Sequence, residues 1–319
     1  MNPVGAANRP LIALTGATGF IGKHILRELT GLRHHVRVLL RTPTALPANC
    51  TSAVIGDLNR PVNMAQALAD VGIIIHSAGN APTMTGSPGD DFRRLSAEAT
   101  GNLAQAAKRA GVRRFIFMSS LRAQAGASSD RILTEDLAPE PADPYGQSKL
   151  AAEQELARLD LDWVALRLAS VVGPGVSGNM ARLIRLARSP VPLPFGALRA
   201  QRSLLSLDNL VTAVLAVSAA PQPLRRALIV ADPDPLNLPQ MITAMRAGLG
   251  RRPGLIHVPV SMLARGFQLA GRQELYRRLA EPLVASPHRL LQLGWVPKVG
   301  TTEALAAVAR AGERTTSNH

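Results

Sequence analysis

The chain reads as an α/β protein: a doubly wound parallel sheet followed by a smaller mixed lobe. Three observations predict this. Over the first 170 residues, short apolar runs alternate with longer helix-like stretches, the pattern that lays helices on both faces of a parallel sheet. The runs are apolar on both parities, as strands covered on both sides must be. After residue 171 the texture changes to Gly- and Pro-rich stretches, "VVGPGVSGN", "RSPVPLPFG" and "ADPDPLNLP". Proline at that density marks loops and helix starts rather than a continuous sheet.

Taken in order, the candidate strands are "LIALTG", "VRVLLR", "AVIG", "GIIIHSAG", "RRFIFMSS" and "DWVALRLA". Between the fourth and fifth strands, "EATGNLAQAAKRAGVRR" puts Leu103, Ala106, Ala107 and Ala110 on one stripe and stops at Gly111, which predicts a crossover helix. In the second half, helices are expected at about 179–188, 207–219, 238–249 and 259–271. The tail "GERTTSNH" is expected to fray.

Composition narrows the function classes. With 319 residues and 46% hydrophobic content the chain can bury one large core and carry an appended lobe. Its longest apolar runs, such as "LVTAVLAVSAA", fall short of the roughly 20 residues a bilayer crossing needs, so no stable membrane insertion is expected. The N-terminus lacks a basic segment followed by an apolar one, and Cys50 is the single cysteine; both point to the cytoplasm. The net charge of +14 comes from scattered residues, almost all arginine, and aromatics are only 3%. That argues against a nucleic-acid partner, which needs a basic ribbon and stacking platforms. It suits an anionic small substrate.

The chemistry begins at "LIALTGATGFIGKHILREL", where Gly16, Gly19 and Gly22 follow a strand and open a helix. Gly16 permits the tight turn, Gly19 lets backbone approach a pyrophosphate, and Gly22 lets the helix pack close to the sheet. The amides of this turn, including those of Thr18, Phe20 and Ile21, would receive the phosphate charge. A dinucleotide-binding (Rossmann) domain is therefore expected over 1–170, with 206–230 returning to it; 171–205 and 231–319 form the substrate lobe. At the end of the second strand stands Arg41 rather than an acid, which favours a 2'-phosphate and hence NADP over NAD. Asp57, with Leu58 beside it, is placed to meet the adenine, and the small Ser77, Ala78 and Gly79 leave room for ribose and pyrophosphate. His76 is read as packed rather than catalytic, and no metal site is expected.

The ordered set "TGATGFIG", "GDL", "HSAG", "FIFMSS", "YGQSK" and "LGW" resembles the extended short-chain dehydrogenase/reductases, in their NAD(P)-dependent nucleotide-sugar epimerase and dehydratase branch. The resemblance covers nearly the whole chain. It implies a catalytic Ser120, with Ser119 as the alternative and otherwise a substrate contact, and a Tyr-x-x-x-Lys pair at Tyr145 and Lys149. Four residues apart, these two share a helix face, so an ammonium can sit beside the phenol and lower its pKa. In the second lobe it implies that Asn179 and Arg202 contact a nucleotide diphosphate, with Arg272 and Arg278 as further candidates. A homodimer is also implied.

Members that eliminate water carry an acidic pair after the catalytic Ser/Thr, whereas Leu121 and Arg122 stand here. A 4,6-dehydratase and a decarboxylase are therefore disfavoured. Two reactions remain, and Arg41 tips the reading towards NADPH-dependent reduction of a nucleotide-linked 4-keto-6-deoxy sugar, most like enzymes forming UDP-N-acetylquinovosamine for surface polysaccharides. An NAD-dependent 4-epimerase is the alternative. A non-catalytic NAD(P)-binding regulatory or assembly protein is the alternative of another class.

Overall fold

The computed structural model describes residues 9–79 and 89–316. Its strands are β1 (Leu11–Thr15), β2 (Val36–Leu40), β3 (Thr51–Val54), β4 (Val71–His76), β5 (Arg114–Ser120), β6 (Trp163–Leu168), β7 (Ser170–Val172), β8 (Gln201–Arg202), β9 (Leu204–Ser206), β10 (Arg226–Val230) and β11 (Leu236–Asn237). Its helices are α1 (Phe20–Gly31), α2 (Met64–Ala67), α3 (Gly89–Arg109), α4 (Pro144–Ala157), α5 (Gly178–Arg188), α6 (Leu207–Ala219), α7 (Leu238–Gly248), α8 (Val260–Leu269), α9 (Gln273–Ala280), α10 (His288–Gln292) and α11 (Thr301–Thr316). All six predicted strands lie in one seven-stranded sheet, ordered β3-β2-β1-β4-β5-β6-β10. β1 pairs in parallel with both β2 and β4, so the strand order reverses at β1. That reversal opens a crevice at the carboxyl ends of β1 and β4.

The chain divides into two compact units. The first holds the described residues through Gln124 with Ala138–Arg167 and Val214–Leu228; the second holds Ala125–Leu137, Leu168–Ala213 and the chain from Ile229. In the first unit α3 and α4 cover one sheet face, where Leu103, Ala104, Ala107, Ala152 and Leu156 pack with Ile74, Phe115 and Phe117. The predicted stripe is one residue out at its end: Ala110 is exposed and the fully buried Ala104 takes its place, because the helix stops at Arg109. The late segment is anchored by Arg114. This fully buried arginine pairs with Asp162 at 2.6 Å and donates to the carbonyls of Val217, Ala220 and Gln222. Asp162 in turn accepts from the Leu224 amide at 2.7 Å. A buried charge needs such partners, and these tie residues 217–224 to the first unit, whereas 206–213 and 229–230, expected to return with them, fall in the second.

In the second unit β7 pairs with β9 in parallel and β8 with β11 antiparallel. Around them α5, α7 and α11 bury Ile184, Met241, Met245, Leu305 and Val308. The four helices expected here are all present, within one or two residues at their ends. Residues 125–137 were expected in the dinucleotide domain and instead belong to this unit. Their backbone is tied to 282–286 through Ser129 N to Pro282 O, Leu133 N to Val284 O and Ser286 N to Leu133 O. The fully buried Asn209 knits α6 to the C-terminal segment. Its carboxamide donates to Asp232 and the Val299 carbonyl and accepts from the amides of Lys298 and Val299. Burial raises Asp232 to about 6 despite the bonds it accepts from Asn209 and Ser206. Trp295 of "LGW" is a core residue whose indole donates to Thr212 at 2.9 Å. The tail is helical through Thr316, and the last three residues lie outside the described residues.

Candidate active site

In the first unit every expected cofactor position lies at the carboxyl end of a strand. The turn after β1 is tight: the Gly19 amide donates to the Gly16 carbonyl at 2.9 Å, and Gly16 sits at φ +70. A Cβ on Gly16 would lie 2.6 Å from both Ala78 N and Ser77 C, and one on Gly22 would lie 2.1 Å from Gly16 O. Two of the three glycines are thus fixed by the protein's own packing. Gly19 is different. It is exposed, and its Cβ would only graze Gly16 O at 3.3 Å. It is also the N-cap of α1, where no side chain accepts a hydrogen bond from the first turn and no acid lies in that turn. The amides following exposed Thr18 and Gly19, on Phe20 and Ile21, therefore present donors that an anion can take up. This is the fit a dinucleotide pyrophosphate requires.

Thr15 holds the two strand ends together. Its hydroxyl is 2.7 Å from His76 Nδ1 and accepts from the Ala78 amide at 3.2 Å. His76 is buried between Phe115 and Phe117, which, together with the charge of Lys149, lowers it to about 3. It is a packed, neutral imidazole. Ser77, Ala78 and Gly79 follow it as small, partly exposed residues. Arg41 stands exposed just past β2, and Asp57 exposed after β3, with its carboxylate accepting from the Asn59 amide and side chain and Leu58 half-buried beside it.

The catalytic candidates converge on the end of β5. α4 begins at Pro144 behind its N-cap Asp143, whose carboxylate accepts from the Gly146 amide at 3.0 Å and is gripped by the Arg122 guanidinium. A Cβ on Gly146 would lie 2.1 Å from Arg122 O, so only glycine lets the helix start this close to the turn after β5. Arg122, which stands where the dehydratase acid would be, thus sets the start of α4. Ser120, extended at φ −147, hydrogen bonds the Tyr145 hydroxyl and accepts from the Arg122 amide. Lys149 donates to the Met118 carbonyl at 2.9 Å, with its Nζ 4.7 Å from the Phe117 ring centre and 5.8 Å from that of Tyr145.

Two expectations change here. Burial pushes the Tyr145 phenol up, the Ser120 hydrogen bond and Arg122 pull it down, and Asp143 pushes it further up; Lys149 is not among the groups that set it. Lys149 is itself lowered to about 8 by burial, with Glu153 working against that. Ser119 does not face the same side as Ser120. Strand alternation turns it inwards, where its hydroxyl donates to buried Glu153 at 2.5 Å. It is unavailable to a substrate.

In the second unit a cavity of ≈ 570 Å³ is lined by Asn179, Arg182, Arg272, Glu274, Leu275 and Arg278. Three arginines against one glutamate give its lining an excess of positive charge, which favours an anion over a cation. Asn179, Arg272 and Arg278 were expected from the sequence, and Arg182 was missed, although its position three residues beyond Asn179 on α5 places it on the same face. Arg202 is not there. Its guanidinium donates to the carbonyls of Glu281 and Ala127, so it braces the lobe's backbone instead of clamping a phosphate.

Residues 12–230 match the family described as the NAD dependent epimerase/dehydratase family. The chain belongs to this family. It is an enzyme, and the non-catalytic reading is not carried forward. A UDP-glucose 4-epimerase from Vibrio cholerae is 29% identical over 314 residues, covering 94% of each chain. A ceramide reductase from Caulobacter vibrioides (strain NA1000 / CB15N) is 26% identical over 295 residues, covering 91% of this chain and 86% of that one. Among solved structures, MoeE5 in complex with UDP-glucose and NAD has a TM-score of 0.73 at 26% identity, covering 96% of this chain and 99% of that chain. Among the described residues, no helix is long and apolar enough to cross a membrane.

Proposed function

We propose that the chain oxidises and re-reduces C4 of a nucleotide-diphosphate sugar, acting as a 4-epimerase. The observation that carries this is the convergence of Ser120, Tyr145 and Lys149 on the end of β5, beside a glycine turn with free amides. Similarity across 94% of a UDP-glucose 4-epimerase supports it, as does the arginine-lined cavity. In this reading Gly16, Thr18, Gly19, Phe20, Ile21 and Gly22 hold the pyrophosphate of NAD, Asp57 and Leu58 the adenine, and Ser77–Gly79 the ribose side. Bound there, the nicotinamide supplies acceptance and return of a hydride. Ser120 holds the sugar's C4 oxygen, and Tyr145, as the phenolate, takes the hydroxyl proton as the carbinol is oxidised and, as the phenol so formed, gives it back on reduction. Lys149, held by Met118 O, fixes the sidedness of the site.

Arg41 favours a second reading, NADPH-dependent reduction of a UDP-linked 4-keto-6-deoxy sugar, because its exposed guanidinium at the end of β2 suits a 2'-phosphate. One pair of assays separates the two. A 4-epimerase interconverts UDP-glucose and UDP-galactose with catalytic NAD and no net change at 340 nm; a reductase consumes stoichiometric NADPH with UDP-4-keto-6-deoxy-N-acetylglucosamine. Under the second reading Arg41→Ala weakens NADPH selectively, and equal affinities for NADH and NADPH in wild type would remove that reading.

The cavity gives a further expectation. Arg278→Ala raises KM for the nucleotide sugar about tenfold with kcat nearly unchanged, the size of one lost charge-assisted hydrogen bond. Arg202→Ala lowers the melting temperature instead. Steady-state kinetics and thermal denaturation of the two variants check this, and an Arg278→Ala KM equal to wild type would remove the cavity from the substrate site.

A further inference from the structure

We propose that Glu153 is a positioning residue of the active site: its carboxylate, pinned by Ser119 and Arg167, is the fixed counter-charge that keeps Lys149 protonated and directed at β5. This rests on the catalytic reading of Tyr145 and Lys149. The geometry is a zipper. Three successive residues at the end of β5 address three residues spaced by four along α4. Ser120 hydrogen bonds Tyr145, Met118 O accepts from Lys149, and Ser119 donates to Glu153. The spacing of four stacks all three α4 side chains on one helix face. Glu153 is only 4% exposed. It accepts from Arg167 Nε at 3.2 Å on both oxygens and from Nη2 at 2.6 Å, while Arg167 also donates to the Gln124 carboxamide. A carboxylate bound on both oxygens in this way is held in place and cannot swing away.

Among the described residues, Glu153 is the charged group that acts on Lys149. From β4, His76 is neutral at ordinary pH. From the turn after β5, Arg122 is paired with Asp143. From α3, the described charged residues are Glu98, Lys108 and Arg109, and on α4 itself Glu155 pairs with Arg158. Burial lowers Lys149, and among the described residues Glu153 raises it. Without that charge the ammonium would lose its proton at a lower pH.

The test uses the fact that the chain has only four lysines, at 23, 108, 149 and 298. In protein labelled with ε-¹³C-lysine, the Lys149 signal, identified by its loss in Lys149→Arg, can be followed with pH in the absence of substrate. Wild type should titrate near 8. Glu153→Gln, which keeps the shape and one acceptor oxygen but removes the charge, should titrate lower by about half a unit or more, and the alkaline limb of its kcat–pH profile should move the same way. Ser119→Ala, which removes a hydrogen bond but no charge, should leave the titration in place. If the lone Gln variant fails to fold because Arg167 is left unpaired, Glu153→Gln/Arg167→Met is read in the same manner. An unmoved Lys149 signal in the folded variant, or an equal shift in Ser119→Ala, overturns the proposal. A shifted titration with an unmoved kcat–pH limb would uphold the Glu153–Lys149 coupling and overturn instead the catalytic reading on which it rests.

Discussion

Tyr145→Phe is expected to lower kcat by about 10²–10⁴-fold, the range that a positioned acid–base group contributes. The change removes one oxygen and keeps the ring against Lys149, whose Nζ stays bound to Met118 O. Ser120 retains its bond from the Arg122 amide. The fold should therefore lose only about 1 kcal/mol, the worth of one hydrogen bond. Affinity for the dinucleotide should change little, so the effect falls on kcat. The pH dependence has a definite sign. Lys149 titrates at about 8, so the fraction of its cationic form falls as pH rises through that value, and activity should fall with it. Turnover by Tyr145→Phe at the wild-type rate would remove the proton-transfer role.

The second large effect separates the three glycines. Gly22→Ala places a methyl 2.1 Å from the Gly16 carbonyl, and Gly16→Ala places one 2.6 Å from the backbone of residues 77 and 78 at a φ of +70. Backbone cannot yield as a side chain can, so overpacking of ~1–3 kcal/mol adds, at Gly16, to left-handed strain of ~1–2 kcal/mol. Both variants should lose several degrees of melting temperature along with dinucleotide binding. Gly19→Ala should not. Its methyl meets Gly16 O at 3.3 Å, a tight contact that a shift of a few tenths of an ångström relieves, and otherwise points to solvent. It should melt near wild type yet bind the dinucleotide at least about tenfold more weakly, since the methyl occupies the space through which backbone approaches a pyrophosphate. Calorimetric titration with NADH alongside thermal melts distinguishes the classes. Wild-type affinity in Gly19→Ala would place the pyrophosphate elsewhere.

These expectations show which features the sequence carries. The central sheet strands were legible because each is a run buried on both faces, which local pattern reports, whereas the edge strand β3 is largely exposed. The glycine turn and the Tyr145–Lys149 spacing were legible because both are local, seven and five residues long. What was not legible depends on contacts distant in sequence. Residues 125–137 join the second unit through ladder bonds to 282–286, which no local signal announces. Ser119 and Ser120 are adjacent and chemically identical, and only the pleat, with Glu153 waiting on one side, separates them. Arg202 and Arg278 are both arginines in a proline-rich lobe. One finds backbone carbonyls and the other lines a cavity, and the difference lies in the tertiary neighbourhood.

The most direct measurement of the central claim follows deuterium at C4. UDP-[4-²H]glucose incubated with the protein and NAD, and read by NMR, should yield UDP-galactose that keeps its deuterium at C4, because the label leaves and returns as a hydride without exchanging with water. The Tyr145→Phe protein should form this product about 10²–10⁴-fold more slowly. A product that has lost the label to solvent, or one formed equally fast by Tyr145→Phe, would contradict hydride chemistry at C4 governed by Tyr145.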